Sequence, residues 1–300
     1  MEQLRTRPVK VGLHLPDAEG MMDGRTARWP DLAAMARRAE ELGFDSLWVA
    51  DHHIFVGVPG PAHPPVGFWE GWSLLAALAA VTTRVELGPL VSCMGFRNPA
   101  LLAKMADALD EVSGGRLILA LGAGWHEPEF RAFGFPFDRR VARFAEGLRI
   151  VQALLREGHV DFDGAFYQVR GSELRPRGPR PNGPPLWVGT FGERMLRLTA
   201  RYADAWNMEW TGEAAATLPW RAKVDAACAE VGRDPATLAR TACVVVDLPG
   251  WESRPGRDWV TDLRADVGPA TGAAEQLAAV LRGYAAAGID HVQVMLAPNT

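Results

Sequence analysis

Cysteine is scarce: 300 residues hold three thiols, Cys93, Cys228 and Cys243, none in a C-x-x-C pair. An odd number without that spacing gives neither a disulfide framework nor a zinc ribbon, and fits a reducing cytoplasm. Long apolar runs are also missing. No segment approaches the ~20 residues of a membrane helix, and the opening Met-Glu-Gln-Leu-Arg-Thr-Arg-Pro lacks the apolar stretch of a secretory signal. Positive charge is not in excess: 36 acidic against 32 basic residues leave a net charge of −4. No global basic field therefore recruits nucleic acid. Tyrosine is down to three, yet tryptophan reaches 11, and so many indoles need a location. An apolar fraction of 48% and a charged fraction of 23% exclude disorder and supply a large core.

The length admits one barrel of ~250 residues or two domains of ~150. Periodicity favours the barrel. Val9-Lys-Val-Gly-Leu-His-Leu15 is a short apolar run, and Pro30 opens a helical pattern that Gly43 stops. Phe44–Ala50 then reads as a strand. The alternation continues with helices over 70–82, 98–113, 138–158, 192–203, 215–232 and 272–287. Strands fall at 85–91, 116–122, 186–190, 204–208, 241–247 and 290–296. Eight strands in strict alternation with seven long helices predict a parallel α/β architecture, the (β/α)8 TIM barrel. The 1–300 chain reads as one such domain with two insertions. One, at 159–185, carries a hairpin signal about Asp163-Gly164, and the other, at 248–271, reads as a loop. With Thr300 directly after strand eight, the barrel is expected to lack its final covering helix. The insertion, the N-terminal arm or a partner subunit is expected to cover that face.

Active sites of such barrels form at the C-terminal ends of the strands. His14 follows strand one and Asp51-His52-His53 follows strand two. Gly122-Ala-Gly-Trp-His-Glu127 follows strand four, Gly189-Thr-Phe-Gly-Glu-Arg194 strand five and Trp206-Asn207 strand six. The Asp-His-His cluster fits a helix cap, a metal site or acid–base chemistry. Strand one offers no His-x-His and no H-E-x-x-H occurs, so a resident metal is not expected. The turn after Gly189 leads onto a helix N-terminus, where free N–H groups suit a phosphate, although a glycine can equally serve only the turn. It lacks the lysine of a nucleotide-triphosphate loop, and Gly122-Ala-Gly124 does not extend to G-x-G-x-x-G. Trp69, Trp72, Trp125, Trp206 and Trp210 fall near the expected mouth, Trp48 and Trp187 within strands. An aromatic rim suits a planar, poorly charged ligand.

Seven ordered motifs carry a resemblance. They are Phe44-Asp-Ser-Leu-Trp-Val-Ala-Asp-His52, Arg84-Val-Glu-Leu-Gly88, Phe96-Arg-Asn-Pro-Ala100, Ser113-Gly-Gly-Arg-Leu117, Leu121-Gly-Ala-Gly-Trp125, Tyr202-Ala-Asp-Ala-Trp-Asn207 and Ala286-Ala-Gly-Ile-Asp290. From about Val9 to Met295 the chain resembles the bacterial luciferase-like monooxygenase superfamily, especially its branch using the deazaflavin coenzyme F420. The resemblance implies a cofactor ring leaning on a bulge with a non-prolyl cis peptide near Leu90-Val91, with Cys93 and Gly124 beside it. It implies phosphate binding around Thr190, Phe191, Gly192 and Glu193. Asp51 and His52 would contact the ring or move a proton. His14, Trp125 and Trp206 would meet the substrate. Trp125 stands where the family's sugar-phosphate dehydrogenase has a glutamate, which disfavours that substrate.

The expected function is hydride transfer between F420 and a small, apolar or aromatic organic substrate, by a cytoplasmic homodimer. His52 would donate or remove the proton and Asp51 would position the ring or His52. Three alternatives stand beside it: an FMN-dependent monooxygenase using oxygen, a non-catalytic flavin or deazaflavin binder, and a metal-dependent hydrolase.

Overall fold

The computed structural model describes residues 7–58, 60, 63–263 and 267–300. Eight strands form the barrel: β1 (Lys10–His14), β2 (Ser46–Val49), β3 (Glu86–Pro89), β4 (Leu119–Gly122), β5 (Leu186–Gly189), β6 (Ala205–Trp210), β7 (Ala239–Asp247) and β8 (His291–Ala297). Seven long helices separate them: α1 (Trp29–Leu42), α2 (Gly71–Val81), α3 (Pro99–Ser113), α4 (Arg140–Glu157), α5 (Glu193–Tyr202), α6 (Leu218–Glu230) and α7 (Ala274–Ala286). The pairings among these eight strands are parallel, running β3–β2–β1–β8–β7–β6–β5–β4. Leu87 closes the ring: its N–H donates to Arg116 O at 2.9 Å and its carbonyl accepts from Ile118 N–H at 2.8 Å. The fold is the expected α/β TIM barrel.

Local chemistry explains the elements. Around α3, Asn98 accepts hydrogen bonds from the Ala100 and Leu101 N–H groups, Pro99 presets the first turn, and Gly114 ends the helix at φ 68°. The β4 run Leu-Ala-Leu-Gly is buried throughout, because helices cover one face and the packed interior covers the other. That interior is filled at its lower end by indoles. Trp48 and Trp187 lie with ring centroids 5.1 Å apart, as their strand positions imply. Gly88 makes room for Trp48, since a Cβ there would stand 2.5 Å from the indole.

The same layer buries His291. Trp48 Nε1–H donates to Ser46 Oγ at 2.7 Å, and His291 Nε2 lies 2.7 Å from that oxygen. An indole only donates, so Ser46 directs its hydroxyl hydrogen to His291. Burial pulls His291 down to about 3 from an ordinary 6.5. The unfolded chain therefore takes up this proton first. The stability contribution is full above the ordinary value and is lost as pH falls towards the folded one. Lowering pH from about 7.5 to about 5 is expected to cost about 2 kcal/mol from this group. Denaturant unfolding at both pH values checks it, and His291→Gln should shrink the difference by that amount.

The insertions behave differently from one another. The hairpin forms, with His159–Asp163 antiparallel to Gln168–Glu173. The second insertion is not the expected plain loop: it holds a short helix, Arg257–Leu263, and a strand, Ala270–Thr271, paired to β7. Arg257 pairs with Asp247 at 2.6 Å, and Val260 is fully buried with Val245, Met295 and Ala297. The helix thus caps the mouth end of β7 and β8. On β8 itself, Val292 and Val294 are 0% and 5% exposed within the principal core, so that strand is not bare to solvent. The N-terminal arm, 1–6, lies outside the described residues.

Candidate active site

A cavity of about 960 Å³ opens at the C-terminal ends of the strands. Its β3 wall carries the cis peptide Leu90–Val91, after which Ser92–Cys93 pairs with Leu121–Gly122. Glycines on the neighbouring strands let this wall sit close: a Cβ on Gly122 would fall 2.8 Å from the Val91 side chain, and one on Gly189 3.2 Å from it. Gly124 takes φ +79°, and a Cβ there would meet Cys93 Sγ at 2.7 Å. Burial pushes the Cys93 thiol well above its ordinary range, so it lines the cavity as a neutral surface.

Asp51 is not the partner of His52 that the sequence suggested. Its carboxylate accepts from Ser92 Oγ–H at 2.7 Å, Cys93 N–H at 2.9 Å and both ends of the Arg97 guanidinium at 2.7 and 2.9 Å. Arg97 also reaches Glu70 at 2.7 Å. Asp51 is 2% exposed, and these bonds brace the β3 bulge against β2. Asp51 thus serves the wall, still bordering the cavity, and makes no hydrogen bond to His52.

Glu129 takes that role instead, from an unexpected helix, Glu127–Phe133. Its Oε2 lies 2.9 Å from His52 Nδ1, while Oε1 accepts from the His53 and Ile54 N–H groups. Burial works against the Glu129 charge, but the His52 ring and the two backbone N–H groups outweigh it and hold the carboxyl below its usual range. An ionised carboxylate only accepts, so His52 Nδ1 carries the hydrogen and Nε2 is left for the cavity. The imidazole packs against Phe55, Phe68 and Trp125 at ring distances of 4.5, 5.6 and 5.7 Å. His53 turns away and packs among Phe96, Phe133 and Phe135. His126 accepts from Val56 N–H at 3.0 Å, and burial lowers its pKa, so it is a structural acceptor.

On the opposite side, Thr190, Phe191 and Gly192 line the cavity where α5 begins. Gly192 caps the helix with no side-chain bond, and a Cβ there would meet nothing within 4 Å, so the first-turn N–H groups keep open access. Glu193 is exposed and is not among the lining side chains; only its position in that first turn relates it to the site. Trp206 corrects a second expectation. Asn207 faces the interior, so the preceding side chain points outward, where Trp206 is 0% exposed and donates Nε1–H to Thr190 O at 2.8 Å. It supports the turn and is not among the side chains that line the cavity, where the sequence reading expected it. Of the tryptophan side chains described, Trp125 and Trp210 line the cavity. Trp72 is buried against Ser92, and Trp69 reaches Ala27 O. His14 lines the cavity, as expected. Sequence reasoning also missed Arg140, which borders the cavity and donates to Gly124 O at 3.0 Å.

Among the described residues no group of three or more His, Cys, Asp or Glu could hold a metal ion, and no helix is long and apolar enough to cross a membrane. Fold and site together define an α/β barrel in which a half-buried histidine, paired with a buried carboxylate, faces the cavity. The chain belongs to the luciferase-like monooxygenase family, whose model matches residues 9–248. It is 32% identical over 218 residues to a phthiodiolone/phenolphthiodiolone dimycocerosates ketoreductase of Mycobacterium kansasii, covering 67% of this chain and 58% of that one. It is 30% identical over 177 residues to a 5,10-methylenetetrahydromethanopterin reductase of Archaeoglobus fulgidus, covering 59% and 48%. The chain thus spans about half to three fifths of these relatives' lengths. An F420-dependent secondary alcohol dehydrogenase solved with an F420-acetone adduct superposes with a TM-score of 0.79 at 19% identity, covering 96% of this chain and 93% of that one. A riboflavin lyase solved with modified FMN and riboflavin gives 0.77 at 15%, covering 97% and 88%. At these identities the structural likeness establishes the fold.

Proposed function

We propose that the chain is an oxidoreductase that transfers a hydride between coenzyme F420 and a small organic substrate. The observation that carries this is the placement of the His52–Glu129 pair in the same cavity as the glycine-backed Leu90–Val91 wall and the open α5 N-terminus. The donor set suits a planar ring with a phosphate-bearing tail. Leu90, Val91 and Cys93 offer an apolar ledge, Gly192 with the α5 first turn offers N–H groups to an anion beside Thr190, and Arg140 adds positive charge to the lining. Bound there, the deazaflavin would supply a carbon able to give or take a hydride. The protein's own residues do the rest. His52 Nε2 holds or releases the proton that accompanies the hydride, Glu129 fixes which nitrogen is available, and the aromatic side chains exclude water. Asp51 and Arg97 keep the ledge rigid. Small-molecule turnover in a cytoplasmic homodimer remains part of the proposal.

The F420-dependent secondary alcohol dehydrogenase supports the F420 reading, while the riboflavin lyase, solved with modified FMN, keeps FMN as the competitor. Titration of the protein with F420 and, separately, FMN, followed by fluorescence, is expected to show micromolar binding of F420 and at least tenfold weaker binding of FMN. Tighter FMN binding with substrate-dependent oxygen uptake would select the monooxygenase reading instead. Tight cofactor binding without turnover of any organic substrate would select a binding protein.

A further inference from the structure

A second histidine–carboxylate pair faces the same cavity. His14 ends β1 and Asp17 follows Pro16; they are 3% and 1% exposed, and both border the cavity. Asp17 Oδ2 accepts the Ala50 N–H, which ties it to the chain just ahead of Asp51-His52. Its Oδ1 is sealed and unpartnered, and so is His14 Nδ1. His14 Nε2, in contrast, is neither sealed nor hydrogen-bonded within the described protein, which leaves it to the cavity. A buried polar atom without a partner costs about 1–3 kcal/mol, so two in one place call for a function. Burial pulls His14 down, opposed by the Asp17 charge, and pushes Asp17 up, opposed by the His14 charge. Both causes favour a pair with no net charge. The surrounding wall is apolar, with Met21, Phe68, Met295 and Trp210, the last an edge contact 6.4 Å from the His14 ring.

We propose that His14, backed by Asp17, anchors a hydroxyl or carbonyl oxygen of an uncharged, otherwise apolar substrate. This rests on the hydride-transfer reading only in seating the substrate in this cavity. A neutral imidazole on an apolar wall hydrogen-bonds an oxygen but gives no ion pair to a carboxylate or phosphate, so charged substrates are disfavoured here. Asp17 is a positioning residue: its Oδ1 and His14 Nδ1 make no bond to each other, so it acts by its place beside the ring, which the Ala50 N–H bond fixes. His52 stands on the neighbouring strand end for the proton transfer, so anchoring and proton transfer fall to different histidines.

The test compares binding of acetophenone, 1-phenylethanol, ethylbenzene and benzoate, read by isothermal titration calorimetry, with and without bound F420. The wild type is expected to bind the ketone and the alcohol roughly tenfold tighter than ethylbenzene, and benzoate no better than ethylbenzene. His14→Phe keeps the ring bulk and should bring the ketone-to-hydrocarbon ratio to about one with ethylbenzene affinity unchanged. Asp17→Ala should lower that ratio, and Asp17→Asn, which retains an acceptor for Ala50, should restore most of it. A merely structural role would shift all four ligands together. A wild-type ratio near one, an unchanged ratio in His14→Phe, or tighter binding of benzoate overturns the proposal; an unchanged ratio in Asp17→Ala overturns the role of Asp17. Failure of F420 binding with the oxygen preference intact would instead remove the cofactor reading alone.

Discussion

Replacing His52 with alanine is expected to lower turnover about 10²–10⁴-fold, the usual weight of a positioned acid–base group. Cofactor affinity should change little, because the ledge and the α5 turn do not depend on the imidazole. Glu129→Gln should lower turnover by a smaller factor: the amide can still accept from Nδ1–H but no longer supplies a charge opposite it. The assay is the rate of change of the deazaflavin's visible absorbance with saturating cofactor and substrate, together with a cofactor titration of each variant. Wild-type turnover in His52→Ala would remove the imidazole from the reaction.

The largest effect on stability should come from Arg97→Ala. Asp51 is almost completely buried, and the Arg97 guanidinium meets both of its oxygens. Without Arg97, the carboxylate keeps only the Ser92 hydroxyl and the Cys93 N–H. Removing one member of a buried ion pair typically costs about 3–5 kcal/mol, because the remaining charge is stranded. The double variant Asp51→Asn with Arg97→Met should be less destabilised than Arg97→Ala alone, since it removes the charge as well as its partner. Denaturant unfolding of the three proteins measures this. Equal stability of Arg97→Ala and wild type would show that the pair is not holding the bulge. Cofactor affinity should fall in parallel, because the same bonds set the position of the Leu90–Val91 wall.

Much of the barrel is legible from the order of apolar runs. The short runs ending near His14, Asp51, Gly122 and Gly189 become the ends of β1, β2, β4 and β5, and their termini converge on one cavity. The punctuation is equally local: Gly43 and Gly114 stop their helices with left-handed φ of 86° and 68°. His52 and His14 were identifiable because they directly follow strands. Glu129 was not. It is 77 residues from His52 in the chain, on a helix too short to leave a clear periodic signal. Trp206 shows a different failure, since the alternation of a strand places it opposite Asn207 and its buried indole then serves the turn by a backbone hydrogen bond. The 248–271 segment read as a loop because Pro, Gly and Asp dominate it, yet the burial of Val260 and the Arg257–Asp247 pair favour a helical turn there.

By itself the sequence determined the alternating strands and helices, the barrel they imply, and the strand ends from which functional groups emerge. These follow from near-neighbour physics: apolar spacing, Pro and Asn at helix starts, Gly at helix ends. Tertiary structure alone decided the pairings. It assigned Asp51 to Arg97 and the β3 bulge, gave His52 to Glu129, and set His14 beside an Asp17 whose second oxygen has no partner. A carboxylate's role depends on which charges and N–H groups surround it after burial, and those neighbours arrive from distant parts of the chain only when the barrel closes.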